Sequence, residues 1–434
     1  MATSHLGRLA TPVSASGATS SDLGTARQLR AIALRRVIGT GSLVRRSRRL
    51  ARQLWQRATH ARLAGEVTRA HGQRVAAIAG VPVGTQWRHQ VWSALRYGFH
   101  PETYYRFKMY RASSPREFPL YVPVPMQVSL RGALYERFGL NAAVLSDKRH
   151  FYRRCVDAGV PVPPTVCDAS DGEVHWWPGY DALPPCDLFS KEADAMCGAG
   201  AARWVWQGDG TYRAEDGSQL SAAEVVARLQ ELSRTAPLVL QLRLTNHPAL
   251  LPYAHRALST MRVATYRRDT GGVGLLHAFL RMPTRDVPAD NYTMGGVACE
   301  VDPDTGRLGP GSFKSLEQIE VYVTTHPLTG APIDGFEVPD WSDAVALCVR
   351  AHELFAEHFS IGWDVALTAD GPVLVEGNYN WDVVLAQQPH GKPLLSNADF
   401  ARSYLHWLTV PVADGPALNG AGAPPSAHAS TPVP

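Results

Sequence analysis

Ile361-Gly362-Trp363-Asp364-Val365-Ala366, followed closely by Asp370-Gly371-Pro372-Val373-Leu374-Val375-Glu376-Gly377-Asn378, is the stretch that decides how this chain folds. Both runs are short and apolar, and Asp370-Gly371 is a hairpin signal, so antiparallel strands are predicted over residues 362–367 and 373–376. Alternate residues of a strand share a face. Glu376 and Asn378 therefore point the same way, and Asp364 faces them across the hairpin. Three hard oxygen donors without His or Cys suit Mg2+ on a nucleotide. A solvated ladder of strand acids is the competing reading. The apolar residues around the three weaken it, because a buried acid needs a partner.

Opposite charge is supplied by lysine, which is scarce. The chain has 38 Arg and only five Lys: Lys108, Lys148, Lys191, Lys314 and Lys392. Where positive charge alone suffices this chain writes Arg, so a surviving Lys marks a place for a compact ammonium. Ser146-Asp147-Lys148 reads as a capped helix start running to near Gly159. Residues 186–190 read as a strand ending at Lys191. Both lysines are placed to reach polyphosphate. Beyond Lys191, Cys197-Gly198-Ala199-Gly200 is either a small-residue lid that brings backbone NH groups onto phosphate or a plain turn.

Working outward, residues 26–80 read as helices, closed by Gly80-Val81-Pro82-Val83-Gly84, and residues 87–110 form an aromatic segment read as core. Further strands are predicted over 238–241, 261–266, 274–280 and 294–301, with a turn at 302–306 and a helix over 341–359. The 434 residues carry 45% apolar residues, enough for several folded units, and no apolar run of membrane-spanning length. No secretory leader is evident either, so a cytoplasmic protein is expected, membrane-peripheral at most. The six cysteines, Cys155, Cys167, Cys186, Cys197, Cys299 and Cys348, form no C-x-x-C pair, which argues against a zinc ribbon or disulfide framework. Net charge is +4 overall, but +11 over residues 1–62 and −7 over the remainder. Arg45-Arg46-Ser47-Arg48-Arg49 with Leu50, Leu54 and Trp55 fits a basic amphipathic helix for anionic lipid, RNA or a protein partner, or a solvated Arg-rich extension.

Taken together these residues resemble the ATP-grasp superfamily, and within it the branch associated with sugar transfer, related to α-L-glutamate ligases. The resemblance rests on Ser146-Asp147-Lys148 with Phe151; Ser190-Lys191 and the Gly loop; Gln241 with Asn246-His247-Pro248; Ser259-Thr260-Met261-Arg262-Val263; Asp290-Asn291 with Gly295-Gly296; His326-Pro327; and Asp364, Glu376 and Asn378. It spans about residues 85–400 and leaves the Arg-rich segment uncovered. It implies an α+β ATP-grasp fold: two α+β subdomains clamping the nucleotide, preceded by a helical N-terminal region. Lys148 and Lys191 would hold ATP phosphates with Gly198 and Gly200. The strand through Leu240 and Gln241 would present backbone to adenine, although many members carry an acid where this chain has Gln241. Arg262, with Lys191, would stabilise the transferring phosphoryl group. Asp364, Glu376 and Asn378 would bind Mg2+. Asn291, Lys314 and His326 are weaker candidates for substrate contact, with His255 and Arg256 behind them.

The resulting organisation is an Arg-rich, partly disordered or helical extension (1–62), a helical and aromatic region (63–145), a first subdomain with a Gly-rich lid (146–237), a second with the metal site (238–410) and a disordered tail (411–434). The activity implied is an ATP- and Mg2+-dependent ligase forming carbon–nitrogen bonds between small-molecule carboxylate and amine substrates, in cell-surface polysaccharide biosynthesis. Alternatives are an ATP-grasp phosphotransferase and a catalytically inactive nucleotide-binding scaffold. No specific nucleic acid is expected as a partner.

Overall fold

The computed structural model describes residues 18–194, 200–254, 257–285, 292 and 295–411. Helices come first: α1 Ser20–Ile38, α2 Leu43–Ala79, α3 Val83–Tyr97, α4 Pro101–Arg106, α5 Val124–Phe138, α6 Ala143–Ser146 and α7 Lys148–Asp157. Strands β1 Thr165–Ser170, β2 Glu173–Trp176, β3 Leu188–Glu192, β4 Ala202–Trp206, β5 Thr211–Arg213 and β6 Gln219–Ser221 precede helix α8 Ala222–Ser233 and strand β7 Leu238–Leu242. After α9 Leu251–Ala254 come β8 Thr260–Arg267, β9 Val273–Met282, β10 Val297–Glu300, β11 Gly311–Phe313 and β12 Tyr322–Val323. Helix α10 Trp341–Leu354, the pair β13 Ser360–Thr368 and β14 Gly371–Asn378, and helix α11 Ala398–Thr409 finish the described fold.

Two seven-stranded antiparallel sheets result, ordered β2-β1-β7-β3-β4-β5-β6 and β12-β11-β10-β9-β8-β13-β14. The first has its own small core, Val166, Leu188, Trp204, Tyr212, Leu229 and Leu240 among others, closed by α8. The second is covered on one face by α7 and α10 through Phe151, Phe355, Ile361 and Trp363. Its other face meets α1, α5 and α11 through Leu29, Leu130, Tyr266 and Phe400. Trp363 is fully buried, its Nε1 donating to Thr265 Oγ1 at 2.8 Å. Truncating such a side chain costs about 3–5 kcal/mol.

Several sequence expectations shift. The helix predicted to Phe359 stops at Leu354, where Phe355 turns into the core and the chain reverses into β13. Strand β9 runs on to Met282, past the expected end at Leu280, which brings Arg281 into the sheet. In the aromatic segment Phe99, Tyr104, Tyr105 and Phe107 are buried as expected, but Trp92 and Leu95 are 40% and 52% exposed. The Arg-rich segment divides: α1 buries Ala26, Leu29 and Ala33, spaced three and four apart, whereas residues 41–52 are exposed on every face. No helix among the described residues is long and apolar enough to cross a membrane. Cys155, Cys167, Cys186, Cys299 and Cys348 are all free, and Cys197 lies outside the described residues.

Candidate functional site

The β13–β14 hairpin forms as its turn signal predicts, with Asp364 directly opposite Glu376 and Gly362 opposite Asn378. On the other side of β13, Asp364 is in register with Arg262 of β8. Glu376, Asp364 and Arg262 therefore make a row across three neighbouring strands. Between Glu376 and Asn378 of β14, Gly377 leaves room for packing beneath: a Cβ there would stand 2.9 Å from Trp363 and 3.0 Å from Leu145. A side chain at 377 would push the strand off its support and misplace the residues on either side.

Asp364 is less open than the sequence suggests. Arg262 grips it in fork geometry, Nε donating to Oδ1 at 2.5 Å and Nη2 to Oδ2 at 3.2 Å, and Arg281 Nη2 lies 3.2 Å from the same Oδ2. Burial alone would raise the Asp364 carboxyl, but the two guanidinium charges outweigh it and hold the group below its ordinary value. A carboxylate has about four lone-pair sites, so these three contacts leave Asp364 room for about one further ligand. Arg281 also donates to Thr260 Oγ1. The sequence reading leaves it out because the strand predicted over 274–280 ends two residues short of Met282. Its signal was the alternation of Phe279 and Arg281 with Ala278 and Leu280.

Lys191 comes from β3 of the first sheet and Lys148 from the start of α7. Asp147 caps α7 by accepting from Arg149 N at 2.9 Å. The Lys148 backbone NH donates to Ala193 O at 2.9 Å, which ties the start of α7 to the end of β3. Lys148 and Lys191 are both buried. Burial lowers the Lys191 ammonium to about 8, against the pull of Glu376 and Asp364 in the opposite direction. Burial lowers Lys148 too; Glu376 raises it, and Lys191 lowers it further. Glu376 thus acts on both ammonium groups and Asp364 on Lys191. Tyr152 bridges them, with Lys191 Nζ 5.4 Å from its ring centroid and its hydroxyl donating to Val375 O at 2.7 Å.

The other candidates are more dispersed. Gln241 is buried in β7, and its side-chain amide donates to Thr165 Oγ1 at 3.1 Å, so the side chain ties β7 to β1. Leu240 pairs with Ser190 of β3 and Cys167 of β1. Lys314 sits beyond β11 with Nζ 3.0 Å from Asp382 Oδ2. His326 is not gathered into the site. Its Nε2 lies 2.8 Å from Pro283 O, beyond the end of β9, and its Nδ1 faces Thr329 in the turn at 326–330. Gly200 adopts φ +66, and a Cβ there would meet Glu192 at 2.6 Å. Gly198, Asn291, His255 and Arg256 lie outside the described residues.

The donor set fits a cation that arrives with ligands of its own. Among the described residues no group of three or more His, Cys, Asp or Glu is gathered to hold a metal alone. Two carboxylates and an amide, completed by phosphate oxygens, are the usual provision for nucleotide-bound Mg2+. The Asn378 Nδ2 atom is buried with no hydrogen-bond partner among the described residues. Amide O and N are assigned by their network, so turning this one over leaves an oxygen available in the same place.

Comparison with known proteins follows this geometry. The family model for sugar-transfer associated ATP-grasp proteins matches residues 127–400. A search of curated protein sequences gives no significant match. Among solved structures, D-alanine–D-alanine ligase from Bacillus anthracis complexed with ATP is 10% identical at a TM-score of 0.37, covering 64% of this chain and 75% of that one. L-amino acid ligase from Bacillus licheniformis is 9% identical at 0.35, covering 69% and 53%. The ADP complex of N5-carboxyaminoimidazole ribonucleotide synthetase is 10% identical at 0.32, covering 55% and 46%. The matched region thus spans about half the length of the latter two.

Proposed function

Because the chain belongs to the sugar-transfer associated ATP-grasp family, we propose that it is a Mg-ATP-dependent ligase that joins a carboxylate to an amine through an acyl phosphate. The observation that carries this reading is the convergence of Lys148, at the start of α7, and Lys191 of β3, linked through the Lys148 N–H to Ala193 O bond and through Tyr152, on the β13–β14 hairpin that bears Asp364 and Glu376. Transfer of the ATP γ-phosphoryl group to a carboxylate oxygen would give an acyl phosphate and ADP. An amine would then attack the carbonyl carbon, phosphate would leave with the C–O bond electrons, and the amine proton would pass to solvent. Little covalent chemistry is asked of the protein; positioning and charge neutralisation do most of it.

In this scheme Lys148 and Lys191 hold the polyphosphate, and Arg262 with Arg281 neutralises the oxygens of the transferring group. Glu376, Asn378 and the remaining site on Asp364 hold Mg2+, which when bound neutralises phosphate charge. The family description supports a sugar-linked carboxylate or amine as acceptor, in polysaccharide assembly. The deciding test is Mg-ATP turnover with panels of amino acids and carboxylated sugars, with hydroxylamine added as a trap. Phosphate release that depends on both acid and amine, with hydroxamate formed when hydroxylamine replaces the amine, supports the ligase. A phosphorylated acceptor that accumulates and gives no hydroxamate identifies a phosphotransferase instead. Nucleotide binding without turnover on any acid identifies a scaffold.

A further inference from the structure

The first three turns of α2 have no evident task in the catalytic reading, and their surroundings are unusual. Residues 41–52 are exposed on all faces, so this part of the helix projects from the body. It is nevertheless formed: Ser42 caps its start by accepting from Arg45 N, and Arg49 reaches back to Ile38 O at 3.2 Å. At 3.6 residues per turn, Leu43, Val44, Leu50, Leu54 and Trp55 fall within roughly 140° of arc, and Arg45, Arg48, Arg49 and Arg52 occupy the opposite side. Leu43, Leu54 and Trp55 are 78%, 56% and 67% exposed. This is a two-sided helix with neither side covered by the described residues. No ion pair is recorded for Arg45, Arg46, Arg48, Arg49 or Arg52 among the described residues, and the sequence holds no acid between Asp22 and Glu66.

We infer that the N-terminal half of α2 is a membrane-surface helix that docks the protein on anionic lipid. A planar interface is the partner that satisfies both arcs at once: leucines and valine below the headgroups, arginines level with the phosphates, and Trp55 at the boundary between them. Nucleic acid would engage the arginines and leave the leucines in water. A protein groove would need acids beside its apolar floor, and nothing in the fold specifies one. The absence of any spanning helix among the described residues fits attachment along the surface. Leu95 of α3 is also exposed, and Arg57 of α2 donates to the Leu95 and Arg96 carbonyls, which ties α2 to α3 next to this segment. The inference stands apart from the ligase reading.

The test is co-sedimentation of the full chain with phosphatidylcholine vesicles and with mixed phosphatidylcholine–phosphatidylglycerol vesicles, at low and high salt. Two double variants accompany it, Leu50→Glu with Leu54→Glu and Arg48→Glu with Arg49→Glu; both sets are surface residues, so circular dichroism should match the parent. The expected result is binding to the anionic vesicles only, weakened by salt, with affinity falling at least about tenfold in each variant. Equal binding to neutral vesicles overturns the inference, as does binding insensitive to the leucine changes. Competition by single-stranded RNA that survives those changes points to nucleic acid and also overturns it. So does lipid-free self-association, measured by sedimentation velocity, that Leu50→Glu dissolves.

Discussion

The first sheet has a small core of its own, drawn from residues 166–242 and closed by α8, and joins the main core at Trp177, Ala193 and Val239, whereas the second is sandwiched between α7 and α10 on one face and α1, α5 and α11 on the other. Their chemistry divides too. The first contributes Lys191 from an inner strand; the second contributes Asp364, Glu376, Asn378, Arg262 and Arg281 from four adjacent strands. A lightly supported sheet carrying one lysine therefore meets a heavily supported one carrying the carboxylates and their two arginines. The groups whose mutual geometry must be fixed lie on the heavily packed, rigid side, and the lightly packed side, expected to be the more mobile of the two, carries the Lys191 ammonium.

The sharpest way to break that division is Glu376→Gln, which removes a charge from the rigid side with little change in volume. Turnover should fall by about a thousandfold or more, the scale of several kcal/mol of lost charge stabilisation, with thermal stability close to the parent. Unchanged turnover would remove Glu376 from the metal site. Next comes Lys191→Ala on the mobile side. Affinity for a Mg-ATP analogue should fall about tenfold to a hundredfold, as expected for one lost charge-assisted hydrogen bond to phosphate. The parent carries a further signature. Its Lys191 titrates at about 8, so its ammonium is present below that pH and lost above it. Nucleotide affinity in the parent should weaken as pH rises through 8, and in Lys191→Ala it should stay low and flat, as titration calorimetry at several pH values would show.

The same division governs what the sequence reveals. The hairpin is local: Asp370-Gly371 sets the turn, and the register of Asp364 against Glu376 follows. The cap on α7 is equally local, with Asp147 one residue before Lys148. Strand β7, by contrast, inserts between β1 and β3 across some fifty residues of intervening chain, a pairing that depends on tertiary packing and not on the strand's own pattern. Arg281 escaped for a smaller reason: the end of a strand is set by hydrogen bonding to a neighbour, here β10. Helices α1 and α2 are alike in Arg and Ala content, yet Ala26, Leu29 and Ala33 find a core and Leu43, Leu50 and Leu54 do not. Composition identifies the helix; the partner decides which face is buried.

A smaller expected effect comes from Gly377→Ala, which tests whether support beneath β14 holds the site. The added methyl would enter space bounded by Trp363 and Leu145, so stability should fall by about 1–3 kcal/mol. Because the strain falls between Glu376 and Asn378, kcat should drop more than nucleotide affinity. A variant of parental stability and activity would show that the strand tolerates displacement, and the rigid-side argument would lose its footing.

The smallest effect concerns how the second sheet acquires its support. Lys108, fully buried in a left-handed backbone conformation, donates to Tyr322 Oη of β12 and to Pro389 O at 2.7 Å, with Glu320 4.0 Å away. It joins the N-terminal layer to the edge of the second sheet and has no counterpart on the first among the described residues. Burial lowers its ammonium to about 7 against an ordinary 10.5, with Glu320 raising it and Arg111 lowering it further. Between those values the unfolded chain holds a proton that the folded one has released, so folding stability must rise with pH from about 7 towards 10.5. Below 7 the folded protein carries the buried charge, and this contribution is at its least favourable. Lys108→Met removes the titrating group and leaves Glu320 paired with Arg111 at 2.5 Å. Its melting temperature should therefore change less between pH 6.5 and 9 than the parent's does, because other titrating groups are common to both. If the layer supports only the second sheet, hydrogen exchange in Lys108→Met should quicken in β11 and β12 and stay unchanged in β1, β3 and β7. Equal loosening of both sheets would mean that they unfold as one unit, and that the contrast between a mobile and a rigid side does not describe this protein.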